Sequence, residues 1–173
     1  MSVEEIKAAI RDVPDFPVEG IIFKDIMPVL EDATLFKATI DLFVERYKDQ
    51  GIAKVAGVDA RGFLFASAIA YQIGAGVATI RKKGKLPYST IEESYALEYG
   101  TSTLCMHTDA VKKGEKILLI DDLLATGGTA AASANMIEKL GGEVVEIAFL
   151  IELAFLNGRE KLGDRKVFAP ISY

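Results

Sequence analysis

Apolar positions along the chain follow two alternating rhythms. From about Leu35 to Gln50, the residues Phe36, Ile40, Phe43, Val44 and Tyr47 recur at the spacing of an amphipathic helix, and Gly51 ends the pattern. Lys54–Val58, Gly76–Ile80 and Ile117–Ile120 are instead short apolar runs, and Val144 to about Ile151 is a fourth. Such runs mark strands buried on both faces of a parallel sheet. Between them, Phe63–Ile73 and Ala130–Leu140 predict helices. Val3–Asp12 predicts a short amphipathic helix ended by Pro14. Phe16-Pro17 and Gly20 form a turn before a brief strand at Ile21–Asp25, and Pro28 with Glu31-Asp32 leads into the long helix. Leu86–Ser94, with Pro87, predicts a mobile loop, and Tyr95–Tyr99 with Thr103–His107 predicts a hairpin around Gly100-Thr101-Ser102. Asn157–Leu162 predicts a helical turn and Val167–Ala169 a short closing strand. Strands that alternate with helices define an α/β fold, a mainly parallel twisted sheet with helices on both faces.

Bulk properties narrow the class. A chain of 173 residues without repeats or linkers makes one domain, 1–173, burying about 70% of its unfolded surface. Half the residues are hydrophobic and about a quarter charged, which excludes a disordered chain. A net charge of −5 leaves no basic footprint, so no nucleic-acid partner is expected. The single cysteine, Cys105, cannot form an internal disulfide and suits a reducing cytoplasm. The opening Met-Ser-Val-Glu-Glu lacks the basic start and apolar core of a signal peptide, so a cytoplasmic location is expected. Gly62–Ile80 carries no charge and is long enough to span a bilayer, yet Gln72, Gly74 and Gly76 break it. A buried helix followed by a buried strand is expected there, with no membrane partner.

The chain is organised around Lys116–Ser133. Its strand ends in Asp121-Asp122 and is followed by Ala125 and a Thr126-Gly127-Gly128-Thr129 turn that feeds a helix. Ligands of open α/β sheets bind outside the carboxyl ends of the strands, and backbone N–H groups at a helix N-terminus suit an anion. Gly127 and Gly128 let the main chain approach a phosphate closely, and Thr126 and Thr129 add hydroxyl donors. Asp121 and Asp122 would repel a phosphate; they suit vicinal hydroxyls or a phosphate-bound Mg²⁺. No lysine follows the glycines and no G-x-G-x-x-G follows a strand, which excludes the ATP-type phosphate loop and the dinucleotide fingerprint. A phosphate, a diol and a metal together describe a ribose 5-phosphate. Asp59-Ala60-Arg61-Gly62 and the basic Arg81–Lys85 stand at two further strand ends, where they provide for a second anion of the size and charge of pyrophosphate.

Ile-Leu-Leu-Ile-Asp-Asp-Leu-Leu-Ala-Thr-Gly-Gly-Thr, residues 117–129, resembles the phosphoribosyl-pyrophosphate motif of type I phosphoribosyltransferases, in the form carried by the adenine-specific members. The likeness covers nearly the whole chain. Asp59-Ala60-Arg61-Gly62-Phe63 matches the family's pyrophosphate loop, often the site of a non-proline cis peptide. Arg81–Pro87 matches Arg-Lys-x-Gly-Lys-Leu-Pro, and Tyr95–Gly100 matches the Tyr-x-Leu-Glu-Tyr-Gly of a flexible hood. Phe23-Lys24-Asp25 stands where many members have Phe-Arg-Asp, and Ile151-Glu152-Leu153 and Gly158–Leu162 also match.

The resemblance implies a type I phosphoribosyltransferase fold with a small hood, about residues 1–30 and 82–107. It implies transfer of phosphoribose from phosphoribosyl pyrophosphate to adenine, giving AMP and pyrophosphate, with Mg²⁺ and in a homodimer. Asp121, Asp122, Ala125, Thr126, Gly127, Gly128 and Thr129 would then bind the phosphoribosyl group. Asp59, Ala60, Arg61, Arg81, Lys82 and Lys85 would bind pyrophosphate. Ile22, Phe23, Lys24 and Leu153 would bind adenine, with Lys24 acting through its backbone. Mg²⁺ would arrive with substrate, reached by Asp121 and Asp122 through water. Glu98 is the candidate acid/base, and Tyr99 would help close the hood. Phe63-Leu64-Phe65 is a candidate dimer contact, while His107 and Cys105 are expected to be structural. Another purine as acceptor, or a phosphoribosyl-pyrophosphate-sensing regulator of the same fold, are the alternatives.

Overall fold

The computed structural model describes residues 1–173. Two compact units divide the chain, Met1–Arg46 and Tyr47–Tyr173, and each has its own logic.

In the first unit, helix α1 (Val3–Ala9) starts in a capping box. The Glu5 N–H donates to the Ser2 hydroxyl at 3.2 Å, and the Ser2 N–H donates to the Glu5 carboxylate at 2.6 Å. The helix expected to run to Asp12 ends at Ala9 instead, because Arg11–Pro14 is a strand, β1, antiparallel to β2 (Ile22–Asp25). That pairing sets Arg11 on Asp25 at 2.5 Å and Lys24 on Asp12 at 2.6 Å, partners that helical periodicity does not register. A short helix α2 (Met27–Glu31) leaves no periodic signal, since five residues carry too little period to read. Helix α3 (Ala33–Tyr47) begins earlier than expected, where the Asp32 carboxylate accepts the Thr34 and Leu35 N–H groups at 2.9 Å each. It also ends earlier, at Tyr47 rather than Gln50.

The second unit contains β3 (Lys54–Val58), α4 (Arg61–Ile73), β4 (Gly76–Lys82), β5 (Thr90–Ala96), β6 (Thr101–His107), β7 (Lys116–Leu124), α5 (Gly128–Lys139), β8 (Glu143–Glu152), β9 (Val167–Phe168) and β10 (Ile171–Ser172). The sheet runs β10-β8-β7-β3-β4-β6-β5, with β9 beside β8. Every pair from β10 to β4 is parallel, and only β6 with its neighbours β4 and β5 is antiparallel. The mainly parallel sheet is therefore as expected. Alternation assigns its two faces. Ala56, Val58, Ile117, Leu119 and Phe149 pack in one cluster with Ala130, Ala134, Met136 and Ile137 of α5. Between Ala56 and Val58, Gly57 faces the other way, where a Cβ would stand 2.7 Å from that of Ala66 on α4. Leu118 and Ile120 are buried as well, so β7 is covered on both faces by helices on opposite sides.

Three differences matter for function. β7 does not stop before the aspartates but continues to Leu124, because β8 stays paired through Leu124↔Glu152 while β3 leaves at Gly57↔Ile120. Asp121 and Asp122 thus lie within a strand that overhangs its inner neighbour. The hairpin strand β5 begins at Thr90, inside the expected loop, and its turn is Leu97–Gly100. Its polar sequence hides a strand that is defined by pairing with β6. Of Phe63-Leu64-Phe65, Phe65 is core and only Leu64 is exposed, which removes Phe65 as a dimer contact. No helix is long and apolar enough to cross a membrane; Gly62–Ile80 divides into most of α4 and the start of β4. His107 ends β6, its Nε2 accepting the Tyr88 N–H at 3.4 Å and its ring meeting that of Tyr88 edge-on at 5.9 Å. Cys105 is buried, and that burial pushes its thiol pKa up.

The hairpin is tied to α5 by Glu93, which accepts from Lys139 Nζ at 2.6 Å and from Asn135 at 3.4 Å. The Lys139 hydrogen bond holds the Glu93 carboxyl below the usual glutamate value. A depressed carboxylate stabilises the fold above its unfolded-state pKa, about 4.3, and loses that contribution as pH falls through the lower folded value. Glu93→Gln should therefore lower the melting temperature at pH 7 by about 1–3 °C. The difference from wild type should shrink as the pH is taken below about 4, as thermal denaturation across pH will show.

Candidate active site

The N-terminus of α5 is built to be left open. Gly127 takes φ +90° as the residue preceding the helix, and no side chain caps the first turn. Its N–H groups are thus without the side-chain acceptor that usually occupies this position. Beside them lies a cavity of about 90 Å³, lined by Asp121, Ala125, Thr126, Gly127, Gly128 and Thr129 among others. Every residue expected to bind the phosphoribosyl group lines it except Asp122. The turn is held from behind by a segment whose role was not apparent from sequence. A Cβ on Gly127 would collide with the Gly158 carbonyl oxygen, and one on Gly158 with the Ala125 carbonyl oxygen. Gly158 is fixed in turn by its neighbour Arg159, whose Nε and Nη2 donate to the two carboxylate oxygens of Glu152 at 2.8 Å each. That fork raises the Arg159 pKa, chiefly through the hydrogen bond to Glu152.

The acidic pair is asymmetric. Asp122 is buried and accepts from Arg61 Nε at 2.5 Å. Asp121 accepts the Asp122 N–H at 2.8 Å, and its pKa stands well above the ordinary aspartate value, first because it is desolvated and then because the Asp122 charge adjoins it. No group of three or more His, Cys, Asp or Glu side chains is placed to hold a metal ion. The Asp121 carboxylate on the lining of that cavity, with Asp122 next to it on the strand, nevertheless fits Mg²⁺ that arrives on substrate oxygens, since this ion usually takes one or two carboxylates together with phosphates and water.

The strand ends of β3 and β4 meet as expected around a second cavity of about 330 Å³, lined by Asp59, Ala60, Lys82, Lys85, Tyr95 and Thr129, with Val58 and Leu104. The Asp59–Ala60 peptide is cis. The expected cations divide into two kinds. Arg61 pairs with Asp122, and Arg81 Nε donates to Asp59 at 2.9 Å. Lys82 and Lys85 are exposed and pair with no carboxylate.

Phe23 lies on β2, where its ring meets Phe16 edge-on at 5.2 Å, and both line a cavity of about 280 Å³ with Val13 and Asp25. The Lys24 side chain is engaged by Asp12, and Ile22 is exposed at the start of the strand. Leu153, half-buried, follows β8 in the second unit, its N–H donating to the Leu124 carbonyl at 2.9 Å. Glu98 and Tyr99 are exposed at the hairpin turn and make no side-chain hydrogen bond, so this geometry does not bring them to the turn before α5. Tyr95, on the strand leading to them, does reach it: its hydroxyl lies 2.7 Å from Thr129 Oγ1.

A parallel sheet that gathers an uncapped helix start, an acidic strand end and a basic loop on one edge defines a sugar-phosphate transferase site. The family described as phosphoribosyl transferase domain matches residues 29–169, and the chain belongs to that family. Its relatives include adenine phosphoribosyltransferases. The enzyme of Geotalea daltonii is 54% identical over 171 residues, spanning 99% of this chain and 100% of the relative. The crystal structure of the adenine phosphoribosyltransferase from Thermoanaerobacter pseudethanolicus superposes with a TM-score of 0.96 at 48% identity, covering 99% of this chain and 100% of that one. That of the Saccharomyces cerevisiae enzyme, complexed with an imino-altritol bisphosphate and adenine, gives 0.93 at 37% identity and covers 97% of each chain.

The packing behind the turn makes a specific expectation. Gly158→Ala should push the Ala125 carbonyl and the Leu124 side chain away from it, lowering stability by about 1–3 kcal/mol. It should also weaken binding of ribose 5-phosphate, measured by calorimetric titration, while Gly76→Ala, whose added methyl meets chiefly the flexible Lys54 side chain, should leave the affinity unchanged.

Proposed function

We propose that this chain transfers the 5-phosphoribosyl group from phosphoribosyl pyrophosphate to adenine, giving AMP and pyrophosphate in purine salvage. The observation that carries this reading is the uncapped start of α5 beside a 90 Å³ cavity and the overhanging Asp121-Asp122 strand end. The N–H groups and hydroxyls of residues 126–129 hold the 5-phosphate. Asp121 and Asp122 meet the ribose diol, directly or through water. Lys82 and Lys85 line the larger cavity with free charge, which suits the pyrophosphate. Arg61 and Arg81 join them by exchanging their carboxylate partners for phosphate oxygens. Asp59 and Ala60 contribute backbone at the same place. Mg²⁺ carried on the donor's oxygens supplies charge neutralisation at the leaving group.

Adenine attacks the anomeric carbon as the bond to pyrophosphate breaks, with inversion and an oxocarbenium-like transition state. Prearranged cations stabilise the charge that develops on the departing group. In the first unit, Phe23 is the candidate for stacking on the base, with Ile22 beside it and Lys24 reading it through the main chain; in the second unit, Leu153 is a candidate for apolar contact with a base. Glu98 takes the proton released from the imidazole part of the purine. Its exposed hairpin turn brings Glu98 and Tyr99 inward on closure, which excludes water from the activated sugar. The protein works as a homodimer, and the exposed Leu64 and Tyr71 on α4 offer apolar surface for that contact. Buried, unpaired Cys105 suits a cytoplasmic setting.

The deciding assay offers adenine, hypoxanthine, guanine and xanthine with phosphoribosyl pyrophosphate and Mg²⁺; AMP should form and the three other nucleotides should not. Asp121→Ala with Asp122→Ala should lower turnover by at least about a hundredfold, and normal turnover by that variant would remove the acidic pair from the site. Glu98→Gln should reduce kcat more than it weakens substrate affinity, and an unchanged kcat would exclude it as the acid/base.

A further inference from the structure

We infer that Tyr95 is a positioning residue for phosphate binding, its hydroxyl orienting that of Thr129 and its ring holding Gly128 in place. The inference rests on the assignment of residues 126–129 to the 5-phosphate and adds a residue from a different part of the chain.

Three observations converge on Tyr95. Its hydroxyl oxygen is 2.7 Å from Thr129 Oγ1 across 34 residues of sequence, linking β5 to the first turn of α5. Its ring covers the neighbouring glycine so closely that a Cβ on Gly128 would stand 2.7 Å from Cδ2. Thr129 lines both the 90 Å³ cavity at the turn and the larger cavity that holds Lys82 and Lys85, and Tyr95 lines the latter. Two residues away, the Glu93 pairs to Lys139 and Asn135 fasten the same strand to the same helix, which fixes where the Tyr95 ring can go.

The chemistry follows from the supply of protons. A hydroxyl has one hydrogen to donate. Without a ligand, either Tyr95 or Thr129 can be the donor in their mutual bond. An ionised phosphate only accepts, so a Thr129 hydroxyl that binds it must spend its hydrogen there. Tyr95 must then donate to Thr129, and it removes the rotor positions in which the threonine hydrogen points away from the anion. Tyr95 touches no reacting atom, so its effect falls on binding of the phosphate-bearing ligand rather than on the chemical step.

The test compares wild type with Tyr95→Phe, which keeps the ring over Gly128 and deletes only the hydroxyl. Affinity for ribose 5-phosphate, by calorimetric titration, should fall roughly five- to tenfold, and KM for phosphoribosyl pyrophosphate should rise by a similar factor. KM for adenine should stay unchanged, the melting temperature should fall by no more than a few degrees, and kcat should remain within about twofold. In a Thr129→Val background the loss caused by Tyr95→Phe should vanish, because the hydroxyl it orients is gone. Wild-type affinity in Tyr95→Phe, or the same loss with and without the Thr129 hydroxyl, would overturn the inference. Wild-type protein that forms AMP but binds ribose 5-phosphate equally well after Gly158→Ala and Thr129→Val would overturn the phosphate assignment itself, and the role of Tyr95 with it.

Discussion

The amides at the start of α5 need an acceptor, and the surrounding chain is arranged so that no protein group supplies one. Gly127 occupies a left-handed conformation with the Gly158 carbonyl where a side chain would be, and Gly158 is packed just as closely on Ala125. Two glycines 31 residues apart therefore interlock main chain against main chain. That contact fixes the shape of the turn without using a cap, and the Arg159–Glu152 fork anchors it from the side of β8. A looser turn would bring its own side chains to the helix start and satisfy it internally.

Charge around the site is balanced in advance. Arg61 on Asp122 and Arg81 on Asp59 hold two cations in place that would otherwise be mobile at strand ends. Such pairs limit the rotamer entropy lost when an anion arrives, at the cost of exchanging one acceptor for another. Lys82 and Lys85 keep their charge free on the lining of the larger cavity. Asp121, desolvated and next to Asp122, is the least comfortable carboxylate of the group. Electrostatic perturbation of that kind clusters at functional sites.

Much of this was legible along the chain because the relevant signals are local. The apolar runs at β3, β4, β7 and β8 gave the parallel sheet, and the Asp121–Thr129 stretch marked the uncapped helix start. Elements defined by a distant partner were read less well. β1 has no period of its own and exists through β2, β5 is polar and exists through β6, and β10 is two residues beside β8. The length of β7 is not visible in its composition for the same reason, since pairing with β8 carries it past the aspartates.

What the linear order of residues settled is the inventory: which strands would be buried, that glycines and threonines would stand before α5, and that acids and bases would collect at the carboxyl ends of neighbouring strands. Folding alone decided which of those groups face one another. Asp122 took Arg61, Asp59 took Arg81, Gly158 came to lie behind Gly127, and Tyr95 reached Thr129. Periodicity and turn chemistry act over a few residues and leave their mark on the nearby sequence. Contacts between residues far apart in the chain depend on sheet order and strand overhang, and these are fixed only when the whole unit packs.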